Sequence, residues 1–315
     1  MLKNSQATIE ASMLLDSRAP CGSRLSTFVI RLPYSILQEL NTHRMLEKSA
    51  ASLRAIPTMK LIRRVVDDPF MPVHWGTNQP GMQAYEELTG WRRWAAKKTW
   101  RAARYGAVAG AYTMHKLGAH KQLSNRLLSP WLMATVIISG TEWDNMFWLR
   151  THKSAEPHFR ELAIKMYRLY ANSTPQELKF GEWHLPFITH EDWPRINQLA
   201  LKWVDEGISS SPSARNLISP VIAIEIAKKV STGRCARVSY ETHDGKRDIE
   251  KDIELHDKLF AGVKTGEPLH STPAGHQAMA LSTSERVGPF IGWQQYRKEF
   301  LGEAGPVGGF KGVIE

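Results

Sequence analysis

Apolar and β-branched positions dominate two early runs, ATIEASMLL at 7 to 15 and LSTFVIRL at 25 to 32, bracketing the turn-like APCGS. That arrangement predicts a β-hairpin. Pro33 then opens a helical pattern through Ile36, Leu37 and Leu40, which Pro57 and the PFMP run at 69 to 72 break up. From Met82 to Leu117 the pattern is helical and strongly basic. Trp91, Trp94, Ala95 and the alanines after Arg101 can share one face, with Arg92, Arg93, Lys97, Lys98, Arg101 and Arg104 mostly on the other. Ser129-Pro130 reads as an N-cap followed by a first-turn proline, and the apolar run after it predicts a buried helix interrupted at Gly140. Asp144, Asn145 and Arg150 then stand among Trp143, Phe147, Trp148 and Leu149, a setting in which polar groups need partners. Further helices are expected at 156 to 171, 192 to 206, near 219 to 230, and at 247 to 260. With no repeat, low-complexity tract or clear linker, residues 1–315 read as one domain, with a helical insertion at about 80–120 and a loose tail from about 302.

Composition narrows the class. The chain has 315 residues, 42% of them hydrophobic and 23% charged, which suits a globular protein with a substantial core. No run approaches the roughly 18 apolar residues of a membrane span, and the N-terminus makes a poor signal peptide. Two cysteines, Cys21 and Cys235, cannot form a disulfide framework, so a reducing, cytoplasmic setting is expected. The twelve histidines include no pair with convincing metal spacing and an acidic partner, so no metal is expected. A net charge of +10 favours anionic ligands, either nucleic acid or a phosphorylated metabolite.

The segment NTHRMLEKSAASLRAIP, residues 41 to 57, concentrates the candidate chemistry. In one straight helix His43 and Ser52 would be about 180° apart, so they could not face the same ligand. A break at SAAS would leave His43 and Arg44 at a helix end, with Ser52 and Arg54 on a following loop. Backbone N–H groups, a hydroxyl and a guanidinium on such a loop suit a phosphate. An ordinary basic helix surface fits these residues equally well.

The spacing His43-Arg44, seven residues, then Ser52-Leu53-Arg54 resembles the signature of the flavin-dependent thymidylate synthases. Arg126 four residues before Pro130, and Asn145 five before Arg150, resemble further elements of that family in the same chain order. HWG (74 to 76), EWHLP (182 to 186), RCARVSY (234 to 240), THDGKRD (242 to 248), HSTPAGHQA (270 to 278) and GWQQYRK (292 to 298) are similar to a longer, phage-type branch. The resemblance runs from about residue 25 to 300. It implies an α+β fold, a mixed or antiparallel sheet flanked by long helices, assembled as a homotetramer with sites shared between subunits.

It also implies methylation of C5 of a pyrimidine nucleoside monophosphate, dUMP to dTMP, with methylenetetrahydrofolate as carbon donor and FAD reduced by NADPH. Carried over residue by residue, Ser52, Arg54 and Arg126 would bind the nucleotide phosphate. Arg150 would lie at the uracil as substrate-binding and catalytic group, while His43, Arg44, Asn145 and His276 would hold the flavin. The family needs no cysteine nucleophile, and neither cysteine here sits in a Pro-Cys-Gln context. Three departures bear on the reaction. Thr42 replaces an arginine, Ala50 replaces a glutamate whose role could pass to Glu39 or Glu47, and Pro273-Ala-Gly-His276 replaces Pro-Phe-Glu-His. UMP methylation, hydroxymethylation of dUMP and a flavin-binding relative without turnover are therefore alternatives. A nucleic-acid-binding protein led by the basic 91 to 104 helix is the alternative of another class, with nucleic acid otherwise not an expected partner.

Overall fold

The computed structural model describes residues 8–207, 212–240, 248–261, 272–300 and 303. The expected tail, apart from Glu303, lies outside these, as do His270 and most of the THDGKRD segment. The predicted hairpin is present as β1 (Glu10–Arg18) and β2 (Arg24–Pro33), whose reversal passes through Gly22 at φ 87°. A left-handed residue there is a role glycine fills without strain. The chain continues into α1 (Leu37–Asn41), β3 (Glu47–Ala50), α2 (Thr58–Asp67), α3 (Gly90–Lys116) and the short α4 (Lys121–Ser124). After β4 (Met133–Gly140) come α5 (Asp144–Thr151), α6 (Pro157–Asn172), β5 (Gln176–Glu177) and β6 (Trp183–His184). Then follow α7 (Trp193–Gly207), α8 (Pro212–Tyr240), α9 (Ile249–Leu259), β7 (Ala278–Ala280), β8 (Arg286–Val287), β9 (Phe290–Ile291) and β10 (Trp293–Gln295).

The central sheet has the order β3-β4-β2-β1-β5, antiparallel except for the parallel pair β1/β5. It is the mixed sheet flanked by helices that the sequence predicts. One expectation fails: residues 133–140 form a strand, not a buried helix. With seven of its eight residues buried, on both faces, the run shows no period, and the β-branched Thr135, Val136, Ile137 and Ile138 tip it toward a strand. Pro130 accordingly lies inside a 3-10 turn, Asn125–Trp131, instead of starting a helix.

Alternation along β4 and β2 separates two layers. Phe28, Ile30, Leu32, Val136 and Ile138 pack with Met146, Phe147, Phe159 and Leu162 of α5 and α6. Val29 and Ile137 face Cys235 and Val238 of α8 on the other side. The register Ser49↔Ile137 places Glu47 and Ser49 of β3 on the α8 side, with Lys48 and Ala50 on the α5–α6 side.

Behind α8 sits a buried charge cluster. Arg234 donates to both oxygens of Asp192 at 2.8 Å, to Asp252 at 2.9 Å and to the carbonyl of Phe187 at 2.8 Å. Phe187 is the only described non-glycine residue at positive φ, and this bond holds its carbonyl. Burial alone would raise the Asp192 carboxyl, but the Arg234 bonds override it and hold it below the usual range. Gly233 permits the close approach, since a Cβ there would lie 2.2 Å from the Asp252 carbonyl.

α3 is attached along one face by Ala111, by Trp100 Nε1 donating to the Phe70 carbonyl at 3.0 Å, and by Arg104 donating to Val65 and Val66. Trp91 and Trp94, which the sequence groups on one face with the alanines, point outward. No helix among the described residues is long and apolar enough to cross a membrane.

Candidate active site

The segment 41–57 is not one helix. His43 follows the end of α1, residues 47–50 form the edge strand β3, and 52–56 make a tight turn in which the Ser52 carbonyl accepts from Ala55 N–H at 3.0 Å. The Ser52 hydroxyl also accepts from the Arg54 N–H at 3.3 Å. Asn125, fully buried, fixes this turn by donating to the carbonyls of Leu53 (2.7 Å) and Ile56 (2.9 Å). Lys121 adds a bond to the Ala55 carbonyl at 2.8 Å. Nothing in the local sequence but its place beside Arg126 marks Asn125 as a site residue, because its partners lie about seventy residues upstream.

The result is a cavity of about 600 Å³ whose wall includes Ser52, Arg54 and Arg126, together with Tyr34, Gln38 and Asn41. The guanidinium of Arg54 is exposed, and Arg126 is held through its Nε to the Gln122 carbonyl at 3.1 Å. Two guanidiniums, four hydroxyl-bearing side chains and three side-chain amides line a pocket without an acidic side chain. Such a donor set can take a phosphate dianion by charge-assisted bonds.

A second group forms where α1 meets α5. Arg150 donates from Nε to His43 Nε2 at 2.9 Å and from Nη2 to Thr42 Oγ1 at 3.1 Å, with its guanidinium 4.7 Å from the Phe159 ring centre. Because His43 accepts through Nε2, its remaining proton sits on Nδ1. Burial, with help from Arg150 and Lys48, lowers the His43 pKa to about 4, so the ring is neutral at pH 7. Arg44 and Asn145 are exposed nearby in sequence, on the turn after α1 and in the first turn of α5. Arg150 does not line the 600 Å³ cavity, so the candidate residues fall into two groups within one chain.

His276 stands apart from both. It is fully buried, its Nε2 bonded to Ser49 and its Nδ1 to Ser139, each at 2.9 Å. The chain of polar groups continues from Ser139 to Thr27 (2.7 Å), His184 (2.8 Å) and Ser17 (2.8 Å). Burial drives both imidazoles down to about pH 3, His276 further lowered by Arg297 and His184 by His276. With unfolded values near 6.5, the unfolded chain binds protons that the folded chain refuses between those limits. Stability is therefore full above about pH 6.5 and falls as pH drops toward 3, by up to roughly 1.4 kcal/mol per pH unit for each ring. Urea titrations at stepwise lower pH should show this decline, and His276→Gln with His184→Gln should flatten it.

Of the two acids that could replace the one absent at Ala50, Glu47 is already committed. It is buried, accepts from Gln295 at 3.1 Å and from Arg297 at 3.3 Å, and a Cβ on Gly275 would strike it at 2.5 Å. Burial raises its pKa against the opposing pull of Arg297. Glu39 instead keeps a buried carboxylate oxygen with no partner, and its backbone carbonyl lies 3.5 Å from Arg150 Nη2. Cys235 is buried with its thiol pKa raised by burial, the opposite of an activated nucleophile. Among the described residues no three His, Cys, Asp or Glu side chains gather as a metal site.

No family model and no curated protein matches the sequence. Among solved structures, the chain is similar to a UMP/dUMP methylase, PolB from Streptomyces cacaoi, bound with 5-Br UMP: 14% identity and a TM-score of 0.44, covering 53% of this chain and 90% of that one. The same methylase bound with 5-Br dUMP gives 12% identity and a TM-score of 0.43 over 53% of this chain and 91% of that one. A flavin-dependent thymidylate synthase, ThyX from Helicobacter pylori, complexed with FAD and dUMP, gives 16% identity and a TM-score of 0.32, covering 46% of this chain and 67% of that one.

Proposed function

We propose that this protein is a flavin-dependent enzyme that methylates C5 of a pyrimidine nucleoside monophosphate, with dUMP as substrate and dTMP as product. The observation that carries the reading is the convergence of Ser52, Arg54 and Arg126, drawn from positions more than seventy residues apart, on one acid-free cavity. Those are the residues the sequence resemblance assigns to the nucleotide phosphate.

In this reading Arg54 and Arg126 neutralise the phosphate dianion, and Ser52 donates a hydrogen bond to it. Arg150 stabilises negative charge developing on the uracil oxygens, a job suited to a guanidinium already fixed by His43, Thr42 and Phe159. The residues present fit a flavin: the neutral imidazole of His43, the exposed guanidinium of Arg44 and the amide of Asn145 match its ring and phosphate acceptors. FAD would supply hydride-transfer chemistry, re-reduced by NADPH, with methylenetetrahydrofolate bringing the carbon. Positioning and electrostatics do most of the protein's work, and no residue has to act as a strong base. Arg150 lies outside the phosphate cavity of its own chain, which fits a homotetramer that completes each site with a second subunit. His276, sealed between Ser49 and Ser139, contributes by fixing β3 behind the turn.

A second reading, transfer to UMP or transfer of a hydroxymethyl group, is favoured by one observation. No acid stands at Ala50, Glu47 is tied to Arg297, and Glu39 alone has a carboxylate oxygen to offer.

Arg54→Lys should weaken dUMP binding by about tenfold, since lysine cannot reproduce a bidentate contact. Calorimetric titration of dUMP into wild type and variant tests this, and an unchanged affinity would remove Arg54 from the phosphate site.

A further inference from the structure

We propose that the outer face of α3 binds single-stranded nucleic acid. At about 100° per residue, Trp91, Trp94, Lys98, Arg101, Tyr105 and Tyr112 fall in one strip about 80° wide, and Lys116 extends it. The strip is roughly 37 Å long at 1.5 Å per residue. It faces solvent: Trp91 is 75% exposed, Trp94 63%, Tyr105 57% and Tyr112 43%. The flank about 120° round the helix already binds the body through Ala111, Trp100 and Arg104, which leaves the strip facing solvent.

Two features select the partner. α3 contains no acidic residue over its 27 positions, and Glu87 just before it is engaged by Arg93 at 3.2 Å. Among the described residues, Lys98 and Arg101 have no ion-pair partner. Rings and cations also alternate: Lys98 Nζ lies 5.7 Å from the Trp94 ring centre, and Lys116 Nζ lies 5.4 Å from that of Tyr112. Flat rings interleaved with unpaired cations offer stacking platforms for unpaired bases and counter-charges for the phosphates between them. A membrane-surface helix needs a continuous apolar face of large side chains, and here each pair of rings is followed by a cation. Self-association through this strip would set cation against cation. Duplex DNA keeps its bases stacked internally, leaving the rings without a partner.

The test uses the full-length protein and a labelled oligothymidylate, read by fluorescence anisotropy and by quenching of tryptophan emission. Binding is expected to weaken with salt at a log–log slope of about −2 to −3, as for three or four neutralised phosphates. Trp91→Ala with Trp94→Ala should lower affinity tenfold or more, and Lys98→Glu with Arg101→Glu should flatten the salt slope. All four side chains are outside the core, and melting curves of both variants serve as the check on folding. Equal affinity for heparin with no dependence on the tryptophans would overturn the proposal, leaving a plain polyanion patch. So would binding to phosphatidylserine vesicles in place of the oligonucleotide. Loss of an oligomer in the tryptophan variant without loss of oligonucleotide affinity would also overturn it, marking a self-interface.

Discussion

Arg150→Ala should reduce turnover by about 10²–10³-fold, the loss that follows removal of one preorganised electrostatic donor. The flavin should stay bound, because the proposed cofactor contacts are spread over His43, Arg44 and Asn145. A second readout separates this role from simple structural damage. Arg150 donates to His43 Nε2 and helps burial hold that imidazole at a pKa of about 4. Without the guanidinium the His43 titration should move up toward 6.5, visible by NMR. Arg150→Lys should keep part of the pKa depression and little of the activity, since an ammonium keeps the charge but not the planar fork. Retained turnover in Arg150→Ala would take this residue out of the site.

The largest stability effect is expected from Arg234→Ala. The change strips the partner from Asp192 and loosens Asp252, carboxylates that are 3% and 1% exposed. Breaking a buried pair on one side costs about 3–5 kcal/mol, because an uncompensated charge stays inside. The damage reaches the site through α8, which backs β3 and β4 and so supports the turn carrying Ser52 and Arg54. Urea unfolding monitored by circular dichroism measures it, and a loss below about 1 kcal/mol would show that water or Arg237 compensates.

Local signals made much of the fold legible in the sequence. The β1–β2 hairpin has paired β-branched runs around a Pro/Gly turn, and α6 and α7 have the 3.6-residue apolar period. β4 shows no helical or strand period because seven of its eight positions are buried, on both faces, and only the β-branched side chains remain as a clue. β3 carries the sequence EKSA, which has no strand propensity, and it forms because it closes the edge of β4. For α3 the sequence shows the basic and aromatic residues, but not which side is covered. Its many alanines and glycines let either face pack, and contacts from α2 and the 125–131 turn decide.

The site was legible by spacing more than by chemistry. His43 and Ser52 cannot share a ligand from one helix, and in the structure a helix end and a post-strand turn carry them to different groups. Long-range partners were not legible. Nothing local tells that His276 is enclosed by Ser49 and Ser139, or that Asn125 anchors the 53–56 turn. Glu47 and Glu39 looked equivalent as letters, and only their surroundings distinguish the committed carboxylate from the one with an open oxygen.

The central claim is a chemical one, and a product assay tests it most directly. Protein loaded with FAD is incubated with dUMP, UMP or dCMP, together with NADPH and methylenetetrahydrofolate labelled at the transferred carbon, and the nucleotides are separated by mass. The account predicts a labelled 5-methyl nucleotide from dUMP that requires both FAD and NADPH. Absence of label from all three nucleotides in flavin-loaded protein would contradict it.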